Sequence, residues 1–315
     1  MSYKKIAFLS ENGFEGKVPR DHPNMRVEMA WMVALDAYHL PMFAPWQTIE
    51  KFDLAIWIIP KKNIDHVMNQ DYISKLRGIA DKVATMQEGP SWFFQDYPLD
   101  QQIWYYNTLC EADIIFAHNY NDLNYFQGLT NHKNVKLLPS LMVEDSIDTS
   151  KLVKPEDRKN VIIGGNMCRW YGGFDSLIAA QELELPIYAP AMGRKVAGEE
   201  QIVNILPYVQ WNEWIQQLSQ FKYAVHLMPT QAAGTFAMNC GALGIPCVGY
   251  RGLDTQETLF PYLTVDIGDV KSAKRSLKRL QEEKEFYDLN VKVALENYKL
   301  YYTEDKFKEQ FYDQF

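Results

Sequence analysis

Short apolar runs of strand length alternate with longer stretches that carry apolar residues at three- and four-residue spacing, and this alternation holds along nearly the whole chain. "KKIAFLS" reads as a first strand and leads into the glycine-punctuated loop "ENGFEGKVPRDHPN". Helical spacing predicts a helix through "MRVEMAWMVALDAY". "FDLAIWIIP" is a buried strand ended by Pro60, and "DKVATMQEGP" is another. "LDQQIWYYNTLCEA" reads as a helix, "DIIFAHN" as a strand, and "VKLLPSLM" closes the first half. The polar stretch "VEDSIDTSKLVKPEDRKN", with Pro155 inside it, is the expected linker. The pattern then restarts. "VIIGGN" is a strand entering a glycine turn and "GGFDSLIAAQELE" a helix; "LPIYAP" is a strand, "WNEWIQQLSQF" a helix and "YAVHLMP" a strand. "GTFAMNCGALG" is a helix, and "IPCVGY" and "LTVDIGD" are strands. Three helical stretches finish the chain, among them "VKSAKRSLKRLQEEKEFY" and "VKVALENYKLYYTEDKFKEQFYDQF".

Strands alternating with helices call for parallel sheets built by right-handed crossovers. Repeating the pattern about a linker predicts two Rossmann-like α/β domains facing across a cleft, with the C-terminal helices packing back toward the first. The expected division is 1–150, 151–295 and a C-terminal helix from 296 to 315. A length of 315 residues suits two cores. No internal repeat requires duplication.

Composition narrows this picture. The chain is 47% apolar and 23% charged, a globular balance. Its formal charge of −8 gives no broad field for nucleic acid, so such binding needs a local basic groove. Cys110, Cys168, Cys240 and Cys247 lack CxxC or metal-ligand spacing and read as reduced core thiols of a cytoplasmic protein. No run approaches the roughly 20 apolar residues of a membrane helix.

In open α/β sheets, ligands sit at the carboxyl ends of the strands. The residues just after each strand, Glu11 to Gly16, Lys61, Gln87 to Pro90, His118, Gly164 to Arg169, Pro190 to Lys195 and Pro229 to Gly234, are rich in glycine, amides and charge. The segment "MPTQAAGTFAMNCGALGIPCVGY" carries the most chemistry. Gly234 opens a helix whose first N–H groups suit a diphosphate, and Ala233 and Thr235 flank it. Its spacing resembles the donor motif of retaining-type glycosyltransferases of the GT-B fold, which pairs two glutamates with seven residues between them, a glycine three after the first, and an Ala-x-Gly-x-Pro tail. Gln231 and Asn239 stand at the two acid positions, Gly234 at the glycine, and Ala242, Gly244 and Pro246 in the tail. An amide accepts a bond from a ribose or sugar hydroxyl without charge assistance. A tightly packed helix of small residues is the alternative explanation.

The resemblance implies further roles. In "IIGGNMCRWYGGF", Gly165, Asn166 and Arg169 occupy the loop where such enzymes carry an arginine that neutralises the donor diphosphate. The lysine that usually follows is missing, and Arg194 or Lys195 is the substitute. Gly13 and Gly16 resemble the glycine loop on the donor's other side. Glu88 and His118 are candidates for catalytic work on a hydroxyl. No Asp-x-Asp motif appears, so no metal and no cofactor beyond the nucleotide sugar is expected, a UDP-sugar being favoured.

"SENGFEGKVPRDHPNMR", "QEGP", "RWYGGF", "YVQWNEW" and "KYAVHLMPT" together resemble glycosyltransferases encoded by large tailed bacteriophages. That likeness implies a hydroxymethylated pyrimidine of phage DNA as acceptor, host cytoplasm as location, and Lys17, Arg20, His22 and Trp92 on the acceptor side. Lys271, Lys274, Arg275, Lys278 and Arg279 form a basic stripe that suits phosphates or simply a solvated face. A flipped base would need a stacking partner, for which Trp92, Phe93 and Phe94 are candidates. A glycan or lipid-linked acceptor, a small molecule or protein acceptor, and a silent sugar-nucleotide-binding protein stay open, as do an epimerase, the stereochemistry and the oligomeric state. An NAD enzyme is disfavoured because no GxGxxG follows a strand.

Overall fold

A computed structural model of the chain describes residues 3–87, 89–131, 134–192 and 195–315. They form two compact units, one of Met1–Arg20, Val27–Ser140 and Phe307–Phe315, the other of Asp21–Arg26 and Leu141–Lys306.

The first unit is built on strands β1 (Ile6–Ser10), β2 (Gly16–Lys17), β3 (Tyr38–Pro41), β4 (Phe52–Ile59), β5 (Ala80–Gln87), β6 (Ile114–Ala117) and β7 (Val135–Leu137). Helices α1 (Val27–Ala34), α2 (Ile64–Met68), α3 (Tyr72–Arg77), α4 (Leu99–Glu111) and α5 (Tyr120–Thr130) connect them. The sheet order is β2-β3-β1-β4-β5-β6-β7, parallel except for β2 against β3. Helices on both faces explain why β1 is buried at every position and reads as an unbroken apolar run.

The second unit repeats the plan with β8 (Lys159–Ile163), α6 (Gly173–Ala180), β9 (Ile187–Ala189), β10 (Asn204–Ile205), α7 (Trp211–Leu218), β11 (Phe221–His226), α8 (Thr235–Leu243), β12 (Cys247–Tyr250), α9 (Asp254–Leu259), β13 (Thr264–Val265), α10 (Val270–Glu282) and α11 (Lys284–Tyr301). Its sheet, β10-β9-β8-β11-β12-β13, is parallel throughout. The polar stretch from 143 to 160 folds into three short 3-10 turns, and β8 begins within its last residues.

The last helix, α12 (Glu304–Tyr312), leads into the C-terminal residues of the first unit. Phe311 is fully buried and stacks on Phe116 of β6, ring centroids 5.9 Å apart. Beyond it, the Gln314 amide accepts from Leu137 N at 2.8 Å and donates to Leu137 O at 2.9 Å. Both bonds go to β7, the edge strand, whose open backbone groups are satisfied in this way.

Several elements differ from the sequence expectation. The helix expected over 25–38 ends at Ala34, and Asp36 turns the chain with φ of 48° into β3. No glycine or proline marks that turn. The short helices α2 and α3, and the more polar α5, lie in segments without strong apolar periodicity. Cys110 is exposed rather than part of the core, because it falls on the outer face of α4; the other three cysteines are buried, and all four are free. Among the described residues, no helix is long and apolar enough to cross a membrane.

Phe311→Ala removes an aromatic ring from a fully buried site, and should cost about 3–5 kcal/mol. Urea unfolding of the variant followed by tryptophan fluorescence checks this, and a midpoint equal to the parent's contradicts it.

Candidate functional site

In the second sheet, β9 and β10 lie on one side of β8, whereas β11, β12 and β13 lie on the other. The chain order reverses between β8 and β11, and in open α/β sheets such a reversal is where ligands bind, at the strands' carboxyl ends. Two loops meet at this point: Gly164 to Gly172 after β8, and Leu227 to Gly234 after β11. Their closeness depends on missing side chains. A Cβ on Gly164 would overlap His226 and Phe236, and one on Gly172, which has φ of 64°, would overlap the Leu227 carbonyl. One on Gly173 would overlap the Asn166 carbonyl. Ser176 Oγ of α6 then accepts from Leu227 N at 2.8 Å, which ties the second loop to the helix that follows the first.

Within the β8 loop, Gly165 packs against Tyr171, and Asn166 is buried with its Oδ1 accepting from Cys168 N at 3.1 Å. The carboxylate of Glu199, itself buried, accepts from Met167 N at 3.3 Å and Val196 N at 3.4 Å. Glu199 therefore draws the segment that begins with Lys195 to the loop. Sequence reading missed this residue, since one acid in "AGEEQ" carries no signal of burial. Arg169 begins a 3-10 turn, Arg169–Tyr171, and is exposed. Among the described residues, its guanidinium makes no hydrogen bond or ion pair, and neither does the exposed ammonium of Lys195. Arg194 lies outside the described residues.

Helix α8 starts at Thr235 after Gly234, which has φ of 66° and leaves no room for a Cβ beside Thr255. Thr255 Oγ1 donates to Gly234 O at 2.9 Å, so α9 sets the direction in which α8 begins. No side chain caps the first turn, whose N–H groups lack partners within the helix. These groups and the helix dipole favour an anion. Ala233 and Thr235 are half-buried at this turn. Gln231 is half-buried and lies against Gly252, in the turn before α9. Asn239 stands one helical turn below Thr235 on the same face, buried, and its Oδ1 has no hydrogen-bond partner. Such an orphaned acceptor costs free energy until something donates to it. The structure thus brings Gly165, Asn166, Arg169, Ala233, Gly234 and Thr235 to one switch point, with Lys195 beside them, Gln231 at its border and Asn239 beneath.

The remaining candidates divide. Glu88 lies outside the described residues. His118, after β6, stacks on Trp31 at 5.7 Å, and its Nε2 meets the Gln87 carbonyl at 3.2 Å. A carbonyl only accepts, so Nε2 carries the proton and Nδ1, buried and unpartnered, is left as an acceptor. Burial lowers its pKa to about 4. At neutral pH the ring has no proton to donate from Nδ1. Gln87 is held by Tyr105 and by the Pro90 carbonyl. Phe94 stacks on Tyr105 at 4.1 Å and is core, Phe93 lies under Lys61, and Trp92 is half-buried beside them. Gly13 is exposed in the loop after β1, and Gly16 has φ of 122° in β2. Lys17 pairs with Asp36 on the surface, and Arg20 is exposed. His22 belongs to the second unit, where its Nδ1 accepts from Asn24 N at 3.1 Å in a tight turn. Of the basic stripe on α10, Lys278 and Arg279 pair with Glu282 and Glu283, and Arg279 also covers the Phe286 ring.

No protein-family model matches the chain, and no curated protein matches it. Solved structures do. The chain is similar to HepE of Anabaena in complex with UDP and glucose, at TM-score 0.67 and 12% identity, over 98% of both chains. It is similar to an α-glucosyltransferase in complex with UDP and a 13-mer DNA containing a HMU base, at TM-score 0.67 and 15% identity, over 100% of this chain and 99% of that one. It is also similar to the sucrose-phosphate synthase of Thermosynechococcus elongatus, at TM-score 0.64 and 11% identity, over 98% of both. The fold of the chain is that of GT-B glycosyltransferases.

Burial of histidines gives the fold a pH dependence, to which His118 and His226 contribute most. Burial lowers both His118 and His226 to about 4, below the ordinary value near 6.5. The unfolded chain therefore binds more protons than the fold between these values, so stability is full above 6.5 and falls as pH drops toward 4. The urea midpoint should fall between pH 7 and pH 5, and the double variant His118→Gln/His226→Gln should show a shallower fall. An unchanged slope contradicts the assignment.

Proposed function

We propose that the chain is a glycosyltransferase that moves a sugar from a nucleoside diphosphate, with UDP favoured, to a hydroxymethylated pyrimidine in DNA. The observation that carries this reading is that two loops following adjacent strands pack together at one switch point. One bears Arg169, whose guanidinium has no partner among the described residues, and the other leads to the uncapped start of α8. The similar HepE is described with UDP and glucose, and the similar α-glucosyltransferase with UDP and DNA bearing a HMU base. In the proposed reaction, the acceptor oxygen bonds to the anomeric carbon as the bond from that carbon to the diphosphate oxygen breaks. The acceptor hydroxyl releases its proton, and negative charge gathers on the departing diphosphate. The Arg169 guanidinium and the first N–H groups of α8 suit that charge, with Lys195 as a second cation. Gln231 and Asn239 offer amide acceptors for donor hydroxyls, and Gly13 and Gly16 are assigned to the donor because glycine admits a ligand close to the backbone. Lys17, Arg20, His22 and Trp92 are assigned to the acceptor, and Glu88 and His118 to catalytic work on its hydroxyl. The nucleotide sugar is the co-substrate, and no other cofactor or metal is assigned a role.

A second reading, a sugar-nucleotide-binding protein without turnover, is favoured by one observation: amides stand at both donor-motif positions, Gln231 and Asn239. Incubation with labelled UDP-glucose and duplexes containing hydroxymethylated or unmodified pyrimidines separates the two. Label in hydroxymethylated DNA alone is the expected result. Binding with no transfer to DNA, glycan or lipid-linked acceptors supports the second reading.

Arg169→Ala should lower kcat/KM by at least about tenfold through loss of charge stabilisation, and an unchanged value removes Arg169 from the site. Asn239→Leu should weaken UDP binding by about 1–3 kcal/mol in calorimetry, and equal affinity contradicts its role.

A further inference from the structure

The loop after β1 is held by a buried polar network in which sequence reading gave no residue a role beyond the loop itself. His39, on β3, is fully buried. Its Nδ1 lies 2.6 Å from the Phe14 carbonyl, and its Nε2 lies 3.0 Å from Ser10 Oγ. Ser10 Oγ also receives Asn12 Nδ2 at 2.9 Å and Asn12 N at 3.5 Å, and the same Nδ2 reaches Glu28 on α1 at 2.9 Å. Proton bookkeeping leaves one arrangement. The Phe14 carbonyl only accepts, so Nδ1 carries the hydrogen. Ser10 Oγ spends its lone pairs on Asn12, so its own hydrogen points to Nε2, which must be bare. A protonated ring would set two hydrogens against each other and leave the Ser10 hydroxyl without an acceptor.

We propose that His39 is a positioning residue: as its neutral Nδ1–H tautomer it clamps the loop between β1 and β2 into its ligand-competent shape, and a proton on the ring releases it. The consequence for donor binding rests on the reading above that assigns Gly13 and Gly16 to the nucleotide sugar; the clamp itself stands on the hydrogen bonds alone. The charged groups around the ring are few. Glu15 of the loop favours the cation, but its carboxylate already accepts from Thr48 N, Gln47 N and the Tyr38 hydroxyl. Glu28 reaches the network through Asn12, and Lys17 of β2 is paired with Asp36. Burial outweighs them and holds the ring's pKa below the ordinary histidine value. The loop is therefore clamped at neutral pH and loosens as pH falls below that range.

Two measurements test the clamp without any need for turnover. Two-bond proton–nitrogen NMR of the full chain at pH 7.5 should show the His39 ring protonated at Nδ1 alone. Amide exchange should quicken roughly tenfold over residues 11–16 in His39→Ala and in Ser10→Ala, with β4 and β5 unchanged. In the parent, exchange there should quicken on acidification beyond the intrinsic pH effect, and His39→Asn, which cannot titrate, should lose that dependence. An Nε2–H ring, or exchange at 11–16 that no variant alters, overturns the proposal. Calorimetry with UDP-glucose then separates the clamp from the functional reading. Affinity weakened several-fold in His39→Ala supports both, whereas a freed loop with unaltered affinity keeps the clamp and overturns the loop's assignment to the nucleotide sugar.

Discussion

Backbone packed directly on backbone at the β8–β11 switch point is the constraint on which the site depends. Gly172 lies against the Leu227 carbonyl and Gly173 against the Asn166 carbonyl, at distances that admit no side chain. Because these contacts involve main chain on both sides, neither loop can yield without disturbing the sheet beneath it. The left-handed conformation of Gly172 adds a second reason for glycine there, since an L-residue would be strained even if space existed. The result is a pair of loops whose relative position is set before any ligand arrives. Preorganisation of this kind is what electrostatic stabilisation of a departing anion requires, because donors that must first move give up part of their benefit.

Around that contact, the other polar residues mostly fix geometry. Glu199 spends its carboxylate on two backbone N–H groups, Thr255 holds Gly234, and Ser176 holds Leu227. Their hydrogen bonds are satisfied inside the protein. Arg169 and Lys195 are exposed without partners among the described residues, and Asn239 keeps an orphaned oxygen in a buried position. This contrast between satisfied scaffold and unsatisfied groups picks out the residues available to a ligand more sharply than residue type does.

Much of the fold was legible in the chain itself. β1 and β4 are short runs buried along nearly their whole length, and β5, β8 and β11 are buried through their C-terminal parts, so each carries a compact apolar stretch bounded by polar residues. The segment around Gly234 could be read because its spacing of small residues reflects a tight helix start. β3 was hidden because apolar residues continue from α1 through Ala37 into Leu40, and the turn between them rests on Asp36 in a left-handed conformation without any glycine. His39 and Glu199 were missed for a related reason. Each is polar and buried, and its role comes from partners 25 to 32 residues away in the chain, a relation that local pattern does not encode.

Diffraction from crystals soaked with UDP-glucose tests the central claim most directly. The account predicts pyrophosphate density between the Arg169 guanidinium and the N–H groups of Thr235 and Phe236. Phosphates bound at any other place on the chain, with this switch point left without ligand, would contradict it.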